Sequence, residues 1–303
     1  MRGSAWLGVY LRLATLLLPV ICCAAVGAAW AIKKKAYPAE FVATLATVVS
    51  TPALVFYTLM TTRLDGAQLL EAGAASLLGL AVAGVLSGVA LRSMQMPATT
   101  LGPAATFPNA GNLGLPIAQF AFGDSGLAVA LAFFAINSVM QHTLGVWVTS
   151  RGVDRAARWP KGVIVACLLA VAFRTLRIEL PDPVIESARL VGSLAVPLML
   201  LSLGHALASV SRAGIRQGAL LGAIRLVVGV LAGALVVHAL RLPPLVAGVL
   251  TLQLAMPVAV VSSIYVQRYS NHGDEAAGAV LVSTAAFFVL CPLLIWFADT
   301  SRF

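Results

Sequence analysis

The sequence predicts an all-α polytopic membrane protein with ten transmembrane helices, on three observations. Only 10% of its 303 residues are charged and 60% are hydrophobic, whereas about 25% of a typical soluble domain is charged. The mean hydropathy is +0.96, so a soluble fold of this length would lack the polar residues to cover its apolar surface. The apolar residues also fall into ten runs, each close to the roughly 20 residues that cross a bilayer.

Short polar breaks separate the ten runs and leave no room for a soluble domain of ordinary size. The runs cover about residues 7–32, 38–61, 69–91, 97–121, 125–149, 161–178, 184–208, 217–240, 244–268 and 275–298. Lys33, Lys34 and Lys35 follow the first run, which is the reverse of the charge order in a signal peptide. We therefore expect the first run to be a retained helix.

The net charge of +9 comes from basic residues in the breaks between runs. Residues that bind nucleic acid would lie along one groove or face, so no nucleic-acid partner is expected. The densest basic clusters, at 33–35, 151–161 and 212–216, follow odd-numbered runs, and basic loops remain in the cytoplasm. This predicts both termini outside the cytoplasm and the 150–161 loop inside it. The four cysteines lie within apolar runs and form no metal or redox motif, so we expect no cofactor.

Three motifs recur at nearly one offset and predict an internal repeat. The pairs are Pro52 with Pro197, Pro108 with Pro257, and Gly-Asp at 123–124 with Gly-Asp at 273–274, which lie 145, 149 and 150 residues apart. The repeat divides the chain into 1–150 and 151–303, with five helices in each half. Because five is odd, the halves are inverted relative to each other, as in many secondary transporters. Chance similarity of apolar sequence is the alternative.

The fourth run contains a segment that disfavours a regular helix. Residues 107–116 include two prolines, Pro108 and Pro116, and two asparagines, Asn109 and Asn112, on either side of Gly111. Proline removes a backbone donor and clashes with the preceding turn, and broken backbone inside a membrane must be buried in protein or line a wet cavity. A simple proline kink is one interpretation. An unwound binding segment is the other, since amides and helix N-termini both attract a carboxylate.

The ninth run carries a weaker counterpart at Met256-Pro257, followed by Ser262 and Ser263. Discontinuous helices at matching places in two halves indicate a site near the membrane centre.

In the fifth run, Asn137 and Gln141 share a helix face at i, i+4 spacing. They either bond a neighbouring helix or line the same cavity, and His142 is expected off that face, in packing or at the membrane interface. All carboxylates lie near the ends of runs, whereas a cation exchanger needs ionisable groups at the centre. The few charges at helix ends therefore predict a neutral, amide-lined centre suited to an anion.

Residues 108–116 with 123–126 resemble the crossover of the fourth helix in the auxin efflux carrier family, which includes plant auxin exporters and bacterial malonate and malate permeases. Residues 51–56 and 197–204 are similar to its second and seventh helices. Met256-Pro257 and Ser283-Thr284 are similar to its ninth and tenth.

The resemblance implies a ten-helix fold like those of bile-acid symporters and sodium/proton antiporters, with crossover helices 4 and 9. Helices 1, 2, 6 and 7 would form a scaffold that often mediates dimerisation. Helices 3–5 and 8–10 would form a transport domain that moves as an elevator.

In the plant exporters, an asparagine after the first crossover proline and a glutamine on helix 5 contact the substrate. Asn109 matches the first, and Asn137 lies nearest the second. Ser262 stands where a second proline is expected, and the short loop between helices 5 and 6 is similar to that of bacterial permeases.

These observations together predict a multi-pass carrier of small organic anions in the bacterial inner (plasma) membrane, with the bilayer and a second copy of the chain as partners. The predicted substrate-binding residues are Asn109, Gly111, Asn112, Asn137, Gln141, Ser262 and Ser263, and the crossover prolines are Pro108, Pro116 and Pro257. The alternatives are a sodium-coupled symporter of larger amphipathic acids and a membrane sensor without transport. An enzyme is disfavoured, because no nucleophile–base pair or metal cluster is visible.

Overall fold

The computed structural model describes residues 2–61, 66–151, 161–208 and 210–298, and regular structure in these ranges is helical apart from isolated β-bridge residues. The predicted all-α class is therefore confirmed. Most of the 150–161 loop, on which the predicted orientation rests, lies outside the described residues, as do Met1 and the C-terminal residues 299–303.

Each of the ten apolar runs is helical over most of its length. The α-helices are α1 (Arg2–Ile32), α2 (Ala39–Thr44), α3 (Thr51–Thr61), α4 (Gly66–Ser93), α5 (Ala98–Thr106), α6 (Leu115–Met140), α7 (Val146–Thr149), α8 (Lys161–Thr175), α9 (Asp182–Ser193), α10 (Ala195–Leu207), α11 (Arg212–Leu240), α12 (Pro244–Leu254), α13 (Val260–Tyr269) and α14 (Gly273–Ala298). Wider π-helical turns lie at Leu45–Ser50, Ala110–Gly114 and Gln141–Gly145. Gly123, with a φ of 66°, breaks α6 in a conformation that favours glycine.

Five helical stretches among the described residues are long and apolar enough to cross a membrane. They are Leu70–Ser93, Ala110–Thr149, Asp182–His205, Arg212–Leu240 and Gly273–Ile295. Shorter apolar helices lie at Ile21–Ile32, Val48–Thr61, Gly162–Thr175 and Pro244–Leu254. This set of apolar helices identifies a multi-pass membrane protein.

The helices pack as two groups. In the first packing group (α1–α3 and α8–α10), α1 lies along α10, and α3 lies against α8 and α9. In the second packing group (α4–α7 and α11–α14), α11 packs on α14, α4 and α12, while α12 packs on α6. Glycines allow close approach in both groups: a Cβ at Gly204 would overlap the carbonyl oxygen of Ala24, and a Cβ at Gly278 would lie 2.9 Å from the Gly214 carbonyl carbon.

The breaks in the fourth and ninth runs lie against each other. The Asn109 N–H donates to the Pro257 carbonyl at 2.9 Å, and the Ala259 N–H donates to the Phe107 carbonyl at 3.3 Å. These two bonds place Pro108 opposite Val258 in an antiparallel bridge. Hydrocarbon offers no hydrogen-bond partners, so the two unwound segments satisfy each other. We call residues 107–109 and 257–259 the crossing.

Candidate functional site

A cavity of about 50 Å³ lies beside the crossing, between the two packing groups. This volume is several times the roughly 10–15 Å³ that one water requires. The first packing group contributes Thr51, Leu54, Ala195, Val196 and Met199. The second contributes Pro108–Asn112, Phe134, Asn137, Ser138, Gln141, His142 and Ala259–Val261. Five predicted binding residues, Asn109, Gly111, Asn112, Asn137 and Gln141, therefore line one cavity.

The first polar wall comes from the crossing. Asn109 is 6% exposed and directly precedes the π-helical turn that carries Gly111 and Asn112. Ala259 precedes α13 in the same way. The first N–H groups of a helix have no partner within that helix and carry positive partial charge. A Cβ at Gly111 would lie 2.7 Å from the Phe134 ring, so glycine permits the close approach of this wall to α6.

The second polar wall comes from the end of α6 and the π-helical turn after it. Asn137 Nδ2 donates to the Pro108 carbonyl at 3.5 Å and to Gln141 Oε1 at 3.4 Å. Gln141 Nε2 donates to Ser262 Oγ at 2.8 Å, and Ser262 Oγ donates to the Pro103 carbonyl at 3.4 Å. Both alternatives for the Asn137–Gln141 pair are thus realised, because these amides bond neighbouring segments and also line the cavity.

His142 also lines this cavity and is buried, so the expectation that it lies off this face is wrong. The wall is centred on Ser138 rather than on Asn137, and His142 follows Ser138 by one helical turn. Its Nδ1 lies 2.7 Å from the Ser138 carbonyl, and its ring meets the Tyr265 ring edge to face at 5.9 Å.

The other predicted residues lie outside the cavity lining. Ser262 lies behind Gln141 and fixes its amide, while Ser263 Oγ donates to the Val260 carbonyl of its own helix at 2.7 Å. Pro116 is at the start of α6, and Pro257 belongs to the crossing through its carbonyl.

Arg225, in the middle of α11, is a functional candidate that the sequence reasoning did not assign. It is completely buried, so the expectation of a neutral centre is wrong. Its guanidinium donates to the carbonyls of Ala105 and Thr106 at the end of α5, and to the carbonyl of Leu254 at the end of α12. Helix C-termini carry unpaired carbonyls and negative partial charge. The signal was visible in the sequence as a lone arginine inside an apolar run.

Arg225 forms no ion pair with a carboxylate of the described residues. Glu275 is the buried carboxylate in that part of the chain, and it pairs with His272 at 3.0 Å in the first turn of α14. The charge behind the crossing is therefore balanced by carbonyl dipoles rather than by an opposite full charge.

The sequence pattern of the family described as "Membrane transport protein" matches residues 160–296, which contain α8–α13 and most of α14. The chain is also 28% identical over 201 residues to an "Uncharacterized transporter" of the archaeon Methanothermobacter thermautotrophicus (strain Delta H). That alignment covers 63% of this chain and 65% of the relative, so the chain spans somewhat less than two thirds of the relative's length. Residues 160–296 are thus similar to a family of membrane transport proteins, and this match agrees with the resemblance of the crossover motif to the auxin efflux carriers.

Proposed function

We propose that this protein is a secondary carrier of small organic anions such as carboxylates. The observation that carries the proposal is the cavity at the crossing, where amide side chains and two helix N-termini meet in front of a buried arginine. Discontinuous helices whose ends meet near the membrane centre form the substrate sites of many carriers.

The charges around the cavity favour an anion over a cation. The helix N-termini direct positive partial charge into it. Arg225 adds a full positive charge at the helix ends that lead into the crossing, with no carboxylate paired to it among the described residues. The lining residues include no acid. A cation would therefore lose hydration without gaining an opposite charge.

The size of the cavity favours a small acid. About 50 Å³ suits a few polar groups, whereas a sodium-coupled symporter of larger amphipathic acids needs a wider apolar site. A non-transporting sensor would share the cavity, and the presence of flux separates it from a carrier.

An elevator movement of one packing group against the other is the transport mechanism that we propose. The first packing group corresponds to runs 1, 2, 6 and 7, and the second to runs 3–5 and 8–10. Two further observations support two inverted five-helix repeats: the cavity lies between the groups, and the crossing pairs Phe107 with Ala259 and Asn109 with Pro257 reciprocally. We also propose a homodimer through the first packing group, in a bacterial inner membrane with both termini outside.

The test is uptake into proteoliposomes that contain the purified protein. We expect flux of at least one of acetate, malonate, succinate and malate, driven by a proton gradient or a membrane potential. Asn109→Ala should lower that flux at least about tenfold, since it removes an amide from the cavity wall. Asn271→Ala, in the exposed loop before α14, is the matched control and should retain it. Binding without flux would favour the sensor, and no flux or binding of any acid would refute the proposal.

A further inference from the structure

On the second wall, some polar atoms are hydrogen-bonded within the protein, whereas others have no partner and are available to a ligand. The side-chain nitrogens of Asn137 and Gln141 each donate within the protein. Two acceptors on the same wall have no partner among the described residues: Asn137 Oδ1 and His142 Nε2. Both atoms are buried, and both residues line the cavity.

The orientation of the Asn137 amide follows from a chain of hydrogen bonds with a fixed direction. A backbone carbonyl only accepts, so the Ser262 hydroxyl donates to Pro103, and its oxygen then accepts from Gln141 Nε2. Gln141 therefore presents Oε1 to Asn137. If the Asn137 amide were reversed, its oxygen would face both Gln141 Oε1 and the Pro108 carbonyl, which are acceptors. The free atom of Asn137 is consequently its oxygen.

The tautomer of His142 follows from the same reasoning. The Ser138 carbonyl only accepts, so the hydrogen lies on Nδ1 of His142. The Nε2 atom of the neutral ring is then an acceptor. The neighbouring ring, Tyr265 of α13, meets His142 edge to face.

Two buried acceptors without a donor are costly unless a ligand or water supplies one. We propose that the substrate carries a hydrogen-bond donor, a hydroxyl or N–H group, in addition to its carboxylate, and that Asn137 Oδ1 and His142 Nε2 accept from that donor. The carboxylate then lies toward Asn109, Asn112 and the helix N-termini of the first wall. This inference rests on the proposed function, because it assumes that the cavity holds an organic acid.

The test compares acids that differ in one donor. Dissociation constants for malate, succinate and 2-methoxysuccinate are measured on the purified protein, together with their competition in proteoliposome uptake; lactate and propionate form a second pair. The methoxy compound keeps the C2 oxygen of malate as an ether and adds a methyl group, but it lacks the hydroxyl hydrogen. The inference predicts that malate binds about tenfold more tightly than both analogues.

Substitutions then test which residues cause the preference for malate. His142→Phe and Asn137→Leu should each lower the ratio of malate to succinate affinity severalfold, whereas His142→Gln, which keeps an acceptor near the position of Nε2, should retain more of it. His238→Phe, at the exposed end of α11, is the matched histidine control and should keep the wild-type ratio. The comparison of malate with its two analogues on the wild-type protein tests the proposal even where a variant fails to fold.

The outcomes separate the two proposals. Equal affinity for donor-bearing and donor-free acids, with normal flux, would overturn the inference and leave the carrier function standing. A preference that survives His142→Phe and Asn137→Leu unchanged would also overturn it. The absence of binding and flux for every acid would remove both proposals.

Discussion

Among single residues, Arg225 gives the clearest case of a charge held inside an apolar helix. The C-terminal ends of α5 and α12 approach each other at the crossing, and each end exposes carbonyls with negative partial charge. A guanidinium has five donors in a planar fork, so one side chain reaches carbonyls on both helices. Arg225 therefore joins the two helix ends that lead into the crossing, and it does not itself line the cavity.

This geometry predicts that Arg225→Met destabilises the protein by about 3 kcal/mol, because three buried carbonyls lose their donor. Arg225→Lys should cost less but still destabilise, since an ammonium is a compact charge without the fork. The measurement is thermal unfolding of purified protein in detergent. Arg216→Met, at an exposed position on the same helix, is the control and should leave the melting temperature close to wild type. An Arg225→Met protein as stable as wild type would contradict the role in positioning.

The residues of the site differ in how far the sequence predicted them. Asn109, Asn137 and Gln141 were identifiable because amides inside apolar runs are rare and need partners. His142 was misplaced because the centre of the cavity wall depends on which helix packs opposite, and a single run does not contain that information. Ser262 is predicted in the site from its position after a proline, and in the structure its hydroxyl oxygen accepts from Gln141 Nε2.

Among helices, close packing is set by glycines rather than by large side chains. A Cβ at Gly204 of α10 would overlap the Ala24 carbonyl of α1, and a Cβ at Gly27 would overlap the Leu201 carbonyl. The two contacts are reciprocal and hold α1 directly along α10. Such close backbone approach replaces the hydrophobic driving force that is missing between helices in lipid.

We accordingly expect Gly204→Ala to lower the free energy of unfolding by about 2 kcal/mol, because the added methyl group overpacks the α1–α10 contact. Gly102→Ala provides the control within another helix: no atom lies within 4 Å of a Cβ there, and alanine is the better helix former. Thermal melts of both variants in the same detergent measure the difference. Equal melting temperatures of the two variants would contradict the prediction that a methyl group at position 204 overpacks the α1–α10 contact.

For the molecule as a whole, run length and composition predicted the all-helical class and a multi-pass membrane protein. Proline and asparagine predicted the break in the fourth run, and proline alone predicted the weaker one in the ninth. The sequence could not predict that the two breaks bond each other, because the two hydrogen bonds join residues 148 and 152 positions apart. It also could not predict the π-helical turn at Gln141–Gly145, since its residues have no distinctive local signal.

Relative movement of the two packing groups can be tested by cross-linking them across the cavity. Val196 of the first group and Val261 of the second line the same cavity, so cysteines at both positions should be joined by a short bifunctional methanethiosulfonate reagent in a background without native cysteines. If transport requires the groups to move past each other, the cross-link should stop flux and a reductant should restore it.

The control is a cross-link between Phe56→Cys and Phe173→Cys. The native rings at these positions meet at 6.3 Å within the first group. That cross-link should leave flux unchanged, because both helices belong to one packing group. Normal flux through a fully cross-linked Val196–Val261 pair would exclude movement of the groups as the transport step.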